Sequence, residues 1–305
     1  MPAPQPGIVP GGCAHACFLV LGLAGLPPRD VTRSLREAQP LAGEIAALDP
    51  RARLVMNVGI GSDLWDRLSP GRRPKGLRPF KPLSAEGRTA PATGGDVLLH
   101  IASSRHDLNF ELASRLARSF GVGVKILEEV YGFRYLDTRD LTGFIDGTEN
   151  PAGGERAKVA LIGEEDASFA GGSYAATQRY VHHLEAWGKL AVADQEKIIG
   201  RTKPDSTELD EETKPATSHV SRTVIEKDGE ELKILRHSFP YGTLRESGLF
   251  FIAYGRTLDN FETMLARMIG ASGDGLHDRL IEFSHAVTGA TFFVPSMELL
   301  ASIGR

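Results

Sequence analysis

The sequence predicts an α+β fold of two ferredoxin-like halves, and three observations support that expectation. The first 135 residues read in the order strand, helix, strand, strand, helix, strand, which is the ferredoxin-like pattern. From Gly172 onward a comparable succession of patterns returns, without any visible sequence repeat. A chain of 305 residues also lies near the length at which one hydrophobic core gives way to two. The expected division is 1–140 and 141–305.

In the first half, Ala14–Leu23 is an apolar strand pattern. Arg29–Leu48 has helical spacing, with Leu35, Ala38, Leu41, Ile45 and Leu48 on one face, and Pro40 is expected to kink or divide it. Arg53–Ile60 and Asp96–Ser103 are strands, separated by a long loop, Gly71–Gly95, rich in Gly, Pro, Lys and Arg. Asn109–Phe120 is an amphipathic helix with Leu112, Leu116 and Phe120 at i, i+4 spacing, and Val122–Tyr135 contains the fourth strand.

In the second half, Gly172–His182 is a strand and Val192–Gly200 a helix. Val220–Glu226 and Glu231–His237 alternate in polarity and read as a hairpin about Lys227-Asp228-Gly229-Glu230. Leu249–Tyr254 is a strand, and Asn260–Ile269 is a helix apolar at Phe261, Met264, Leu265 and Met268. His277–Ala286 reads as helical and Thr291–Val294 as a short last strand. The acidic run Arg201–Ser218 reads as a solvated loop.

Composition narrows the function classes. The chain is 41% hydrophobic and 24% charged, as in ordinary globular proteins. A net charge of −4 leaves no basic footprint for nucleic acid. No apolar run approaches the roughly 18 residues of a membrane span. Met1–Gly7 lacks both a charged leader and an apolar stretch, so a cytoplasmic setting is expected. Cys13 and Cys17 lie too far apart in one strand to be bridged comfortably, which predicts two free thiols, buried or half-buried. His15 between them makes only a weak metal pattern, because no fourth ligand is near.

The stretch most suggestive of chemistry is Gly143-Phe144-Ile145-Asp146-Gly147-Thr148-Glu149-Asn150-Pro151. Asp-Gly favours a tight turn, since Gly takes φ > 0 without steric cost, and Pro151 biases Asn150 towards extended backbone. Asp146 is thus expected on a constrained loop after a buried anchor. Taken alone, that description also fits an ordinary surface turn.

This stretch closely resembles the signature of dye-decolourising peroxidases, a family of haem enzymes. Ser218-His219-Val220-Ser221-Arg222, Ile234–Gly242 and Gly248–Tyr254 extend the resemblance, in the family's order and at similar spacing. It runs through most of the chain and is strongest from Gly143 onward, and it looks most like the short bacterial branch. It implies a dimeric α+β barrel-type sandwich of the two halves with haem b (iron protoporphyrin IX) in the C-terminal one. None of the nine histidines stands out on physical grounds. The resemblance points to His219 as the proximal iron ligand, with Asp278 as the carboxylate that orients it and Glu282 as the rival. It places Asp146 and Arg236 on the peroxide side as proton acceptor and cation. Leu249 and Phe251 would form the apolar roof there. Ser238 stands where some members carry Asn, which alters how water is held above the iron. Arg201 resembles a haem-propionate partner with Lys203 as its rival, Glu149 would lie near the site edge, and the His182-His183 pair reads as structural.

The implied function is reduction of hydrogen peroxide coupled to one-electron oxidation of bulky phenols or dyes by a small-molecule reductant. Two other readings are a haem-handling protein without important turnover and a cofactor-free ferredoxin-like dimer that binds a small molecule. A homo-oligomer is expected, since ferredoxin-like sheets often pair. Some short-branch relatives enter protein shells through a C-terminal extension, and the Ala301–Arg305 ending leads to the expectation that no such tail-directed packaging occurs.

Overall fold

Ten antiparallel strands share one sheet in the computed structural model, which describes residues 2–23 and 25–304. They are β1 (His15–Gly22), β2 (Val55–Ile60), β3 (Val97–Ser103), β4 (Lys125–Phe133), β5 (Ser173–His182), β6 (Leu235–Arg236), β7 (Phe239–Gly242), β8 (Ser247–Gly255), β9 (Ser284–Ala286) and β10 (Ala290–Val294). The N-terminal strands run in the order β4-β1-β3-β2 and the C-terminal ones β7-β8-β5-β10. Both are the ferredoxin-like order, fourth-first-third-second. The short β6 and β9 attach beside β8 and β5.

The two sets join end to end and the sheet closes on itself. β2 meets β10 through Ile60 and Phe293, and β4 meets β7 through Gly132 and Tyr241. A Cβ on Gly59 would lie 2.8 Å from the Phe292 Cβ, and one on Gly132 would overlap the Phe239 Cβ, so each junction needs a glycine for its close approach.

Alternation along the strands sorts side chains to two cores. Inside the ring Phe18 stacks on Phe250 at 4.1 Å between ring centres and on His100 at 4.8 Å. Outside it α1 (Pro28–Ala46) and α2 (His106–Ser119) cover the N-terminal strands with Leu35, Ala38, Ile45, Leu112 and Leu116. α3 (Val192–Ile199), α4 (His219–Thr223) and α5 (Asp259–Ile269) belong to the other half.

Four expectations about elements need correction. α1 is not divided, because Pro40 sits on its exposed face, where the carbonyl it leaves unpaired meets solvent. The Gly71–Gly95 loop contains a small hairpin, Leu83–Ala85 with Arg88–Ala90. Val220–Glu226 is not a strand: Ser218 caps α4 by accepting from Ser221 N, and the local cap outweighs the β-branched residues. The hairpin about Asp228-Gly229 survives as two-residue strands, Glu226–Lys227 and Glu230–Glu231. His277–Ala286 divides into a 3-10 turn, Arg279–Glu282, and β9, which pairs with β5. Cys13 and Cys17 are both free thiols; Cys17 is buried and its thiol is pushed up to about 12 by burial.

Candidate active site

A cavity lined only by residues between Asp140 and Ser284 opens in the C-terminal half. It holds about 1380 Å³, including its open mouth. Its walls include Ile199, Val220, Leu249, Phe251, Met264 and Leu280. Leu249 and Phe251 face it because they alternate along β8 with Phe250 and Ile252, which point into the ring.

His219 lies at the start of α4, on the cavity wall. Its Nδ1 lies 2.6 Å from Oδ2 of Asp278, whose side chain is fully buried. A carboxylate accepts, so Nδ1 carries a proton, and it is Nε2 that, in the neutral ring, offers a lone pair. Asp278 is fixed in turn: it caps the 3-10 turn by accepting from Leu280 N at 2.8 Å, and its own N donates to Met268 O. Glu282 instead meets His277 and Arg279, so it is Asp278 that the fold brings to His219.

Asp146 follows the buried anchor Phe144, which packs edge-on against Trp187. Gly147 next to it has φ 81, the left-handed value that the Asp-Gly turn anticipates. Burial pushes the Asp146 carboxyl above its ordinary range; the Arg236 guanidinium pulls it down without cancelling the effect, and the Asp140 carboxylate pushes it further up. Arg236 ends β6, and its backbone is clamped by Asn150 of the same loop. Arg236 N donates to Asn150 Oδ1 at 2.9 Å, and Asn150 Nδ2 donates to Arg236 O at 3.0 Å. Ser238 also lines the cavity, and its Oγ accepts from Ile252 N at 3.4 Å.

Arg201 lines the cavity too. It pairs with Glu149 and, at 3.3 Å, with Glu208, while its Nε is buried without a partner. Lys203 donates to Gln195 at 2.6 Å and lies over the Phe144 ring, outside the cavity lining.

The chain matches the model "Dyp-type peroxidase, N-terminal" over residues 5–134 and "Dyp-type peroxidase, C-terminal" over 137–299. It belongs to the dye-decolourising peroxidase family. The "Dye-decolorizing peroxidase" of Mycobacterium tuberculosis is 46% identical over 98% of this chain and 90% of its own length. The encapsulated DyP-type peroxidase of Mycobacterium smegmatis superposes with a TM-score of 0.96 at 42% identity, over 99% of this chain and 98% of that one. A variant of DypB from Rhodococcus jostii, solved in complex with haem, superposes with a TM-score of 0.94 at 40% identity, over 99% of both chains.

The fold gathers eight of the anticipated residues on one cavity: Asp146, Glu149, Arg201, His219, Arg236, Ser238, Leu249 and Phe251. Asp278 stands directly behind them. The sequence reading missed the Asn150 clamp and the pair of His182 Nε2 with Asp140 at 3.0 Å on the cavity wall. Burial raises the Asp140 carboxyl, but His182 and Thr142 outweigh it and leave it below the ordinary range. Asn150 could have been suspected from its place in the 143–151 stretch, whereas Asp140 has no local signal.

Proposed function

We propose that this chain is a haem peroxidase that reduces hydrogen peroxide and oxidises bulky phenolic or dye-like substrates in one-electron steps. The observation that supports it best is the contact of His219 Nδ1 with fully buried Asp278, on a cavity that Asp146 and Arg236 also line.

The residues present fit a haem. The cavity offers one imidazole with a free Nε2, an apolar slot and, in Arg201 Nε, a buried donor that lacks an acceptor. A family relative solved in complex with haem supports the same group here. His219 would hold the iron, with Asp278 keeping the ring in one tautomer and raising its basicity. Arg201 would receive a propionate. When bound, the haem supplies the iron at which peroxide is reduced and through which electrons are drawn from the reductant.

The chain's own residues do the rest. Asp146 accepts the peroxide proton as a carboxylate. Arg236 keeps a permanent positive charge where negative charge develops on the departing oxygen. Leu249 and Phe251 exclude water from that side. A haem carrier without turnover would need neither a proton acceptor nor a cation there, and a cofactor-free binding dimer would not need the oriented imidazole. The same reading includes a division near residue 140, supported by the strand order of each half. It includes a homo-oligomer, supported by the exposed Phe110, Ile126 and Leu127.

The test is haem reconstitution followed by gel filtration and an absorption spectrum. His219→Ala should lose the protein ligand and shed haem on the column. Full occupancy with an unchanged spectrum would assign the iron to another residue.

A further inference from the structure

Behind Asp146 and Arg236 lies a second chamber. It shares Asp146, Gly147, Arg236 and Ser238 with the main cavity and holds about 1040 Å³, including its mouth. Its wall carries Arg134, Arg139, Arg156 and Arg236 against a single carboxylate, Asp146. Arg139 is occupied by Asp137 at 2.8 Å. Arg134 and Arg156 have no carboxylate partner among the described residues. Each makes one bond to a backbone carbonyl, Arg134 to Cys13 O at 3.1 Å and Arg156 to Pro10 O at 2.8 Å. A guanidinium has five donors, so most of theirs stay free.

His100 on the same wall adds an independent observation. Asn57 Nδ2 donates to the Tyr254 hydroxyl at 2.8 Å, so that hydroxyl turns its own hydrogen to His100 Nδ1, also at 2.8 Å. Nδ1 therefore accepts, and the ring proton sits on Nε2. His100 is 2% exposed, lines the chamber, and its Nε2 has no partner. A buried donor without an acceptor is costly; Arg134 is exposed and Arg156 half-buried, so solvent meets their free donors, which stay available to a ligand. Peroxide is neutral and does not account for this charge.

We infer that the chamber is a binding site for a small oxyanion, either a phosphate-like inorganic ion or an organic carboxylate. Guanidinium groups pair with both in the same forked geometry. An anion held there adjoins Asp146 and Arg236. It opposes ionisation of the first and engages the charge of the second, so a bound anion slows the peroxide reaction.

The test is calorimetry on haem-loaded protein with inorganic phosphate and, separately, with succinate, at constant ionic strength. Saturable binding is expected, and the tighter of the two ligands identifies the inorganic or the organic source. Arg134→Ala with Arg156→Ala should weaken it at least about tenfold. Because these arginines also hold the Pro10–Cys13 segment, the Arg→Lys pair serves as the control that keeps the charge but not the fork, and should bind more weakly than the parent and more tightly than the Ala pair. Phosphate should slow the peroxide reaction of the parent, while the Ala pair should escape that inhibition and keep its anion-free rate. Absence of saturable heat with both ligands would overturn the inference, as would binding unmoved in the Ala pair. A haem-spectrum shift on titration, equal in parent and Ala pair, would put the anion on the iron instead and also overturn it. The calorimetric arm needs no turnover, so its outcome is separable from that of the peroxidase reading.

Discussion

At Asp146 burial and charge oppose each other, and burial wins. The working form for proton acceptance is the carboxylate, so the peroxide reaction should slow as pH falls through the raised pKa and level off above it. The reductive half of the cycle consumes protons and weakens as pH rises, so dye turnover should peak on the acid side of neutrality. Stopped-flow profiles of the two halves check this, and an acid limb of the peroxide step that persists in Asp146→Asn would remove Asp146 from proton transfer. The same shift carries a stability sign. A folded pKa raised above the unfolded value near about 3.9 means that the ionised group costs stability above the folded pKa, and that this cost vanishes below the unfolded one. Asp146→Asn should therefore raise the melting temperature of haem-free protein at pH 7 and leave it unchanged well below pH 3.9. Arg236 acts differently, through a permanent charge. Arg236→Leu should slow the peroxide reaction by about 10²–10³-fold, and by more than Asp146→Ala, since water can partly replace a proton acceptor.

Among the elements, the loop 143–151 and the strand β6 work as one unit. Asn150 binds Arg236 through both backbone groups, as a neighbouring strand would. Each bond is worth about 0.5–1.5 kcal/mol, so Asn150→Ala should lower the peroxide rate about tenfold while haem binding is retained. Equal rates in variant and parent would show that β6 holds its place unaided. The same scale explains where sequence patterns misled. Val220, Thr223 and Val224 favour a strand, yet one Ser218 cap makes α4 and so presents His219 at its start. Ser284–Ala286 reads as the end of a helix until β5 offers it hydrogen-bonding partners.

For the whole molecule, ring closure depends on two narrow junctions, each with a glycine where a side chain would collide with Phe292 or Phe239. Gly132→Val should destabilise by about 1–3 kcal/mol, the usual cost of overpacking. Gly11→Val serves as the control, because a Cβ there meets nothing within 4 Å. Chemical denaturation of both variants compares them, and equal midpoints would show that the β4–β7 junction gives way without cost. Closure also explains why one half carries the chemistry. The cavity lies in the C-terminal half, and β1 and β3 fill the ring behind it with Phe18 and His100.

The sequence by itself determined the two ferredoxin-like halves, the Asp-Gly turn at Asp146 and the sharing of one strand face by Leu249 and Phe251. These follow from periodicity and backbone sterics, which act between near neighbours in the chain. The family motifs also pointed to His219, Asp146 and Arg236. Only the tertiary structure decided that Asp278 rather than Glu282 meets His219, that Lys203 turns to Gln195 while Arg201 lines the cavity, and that Asn150 clamps Arg236. Those outcomes depend on contacts between residues up to 86 positions apart, such as Asn150 and Arg236. No local pattern encodes such pairings, because burial and hydrogen-bond satisfaction settle them only when the whole sheet closes.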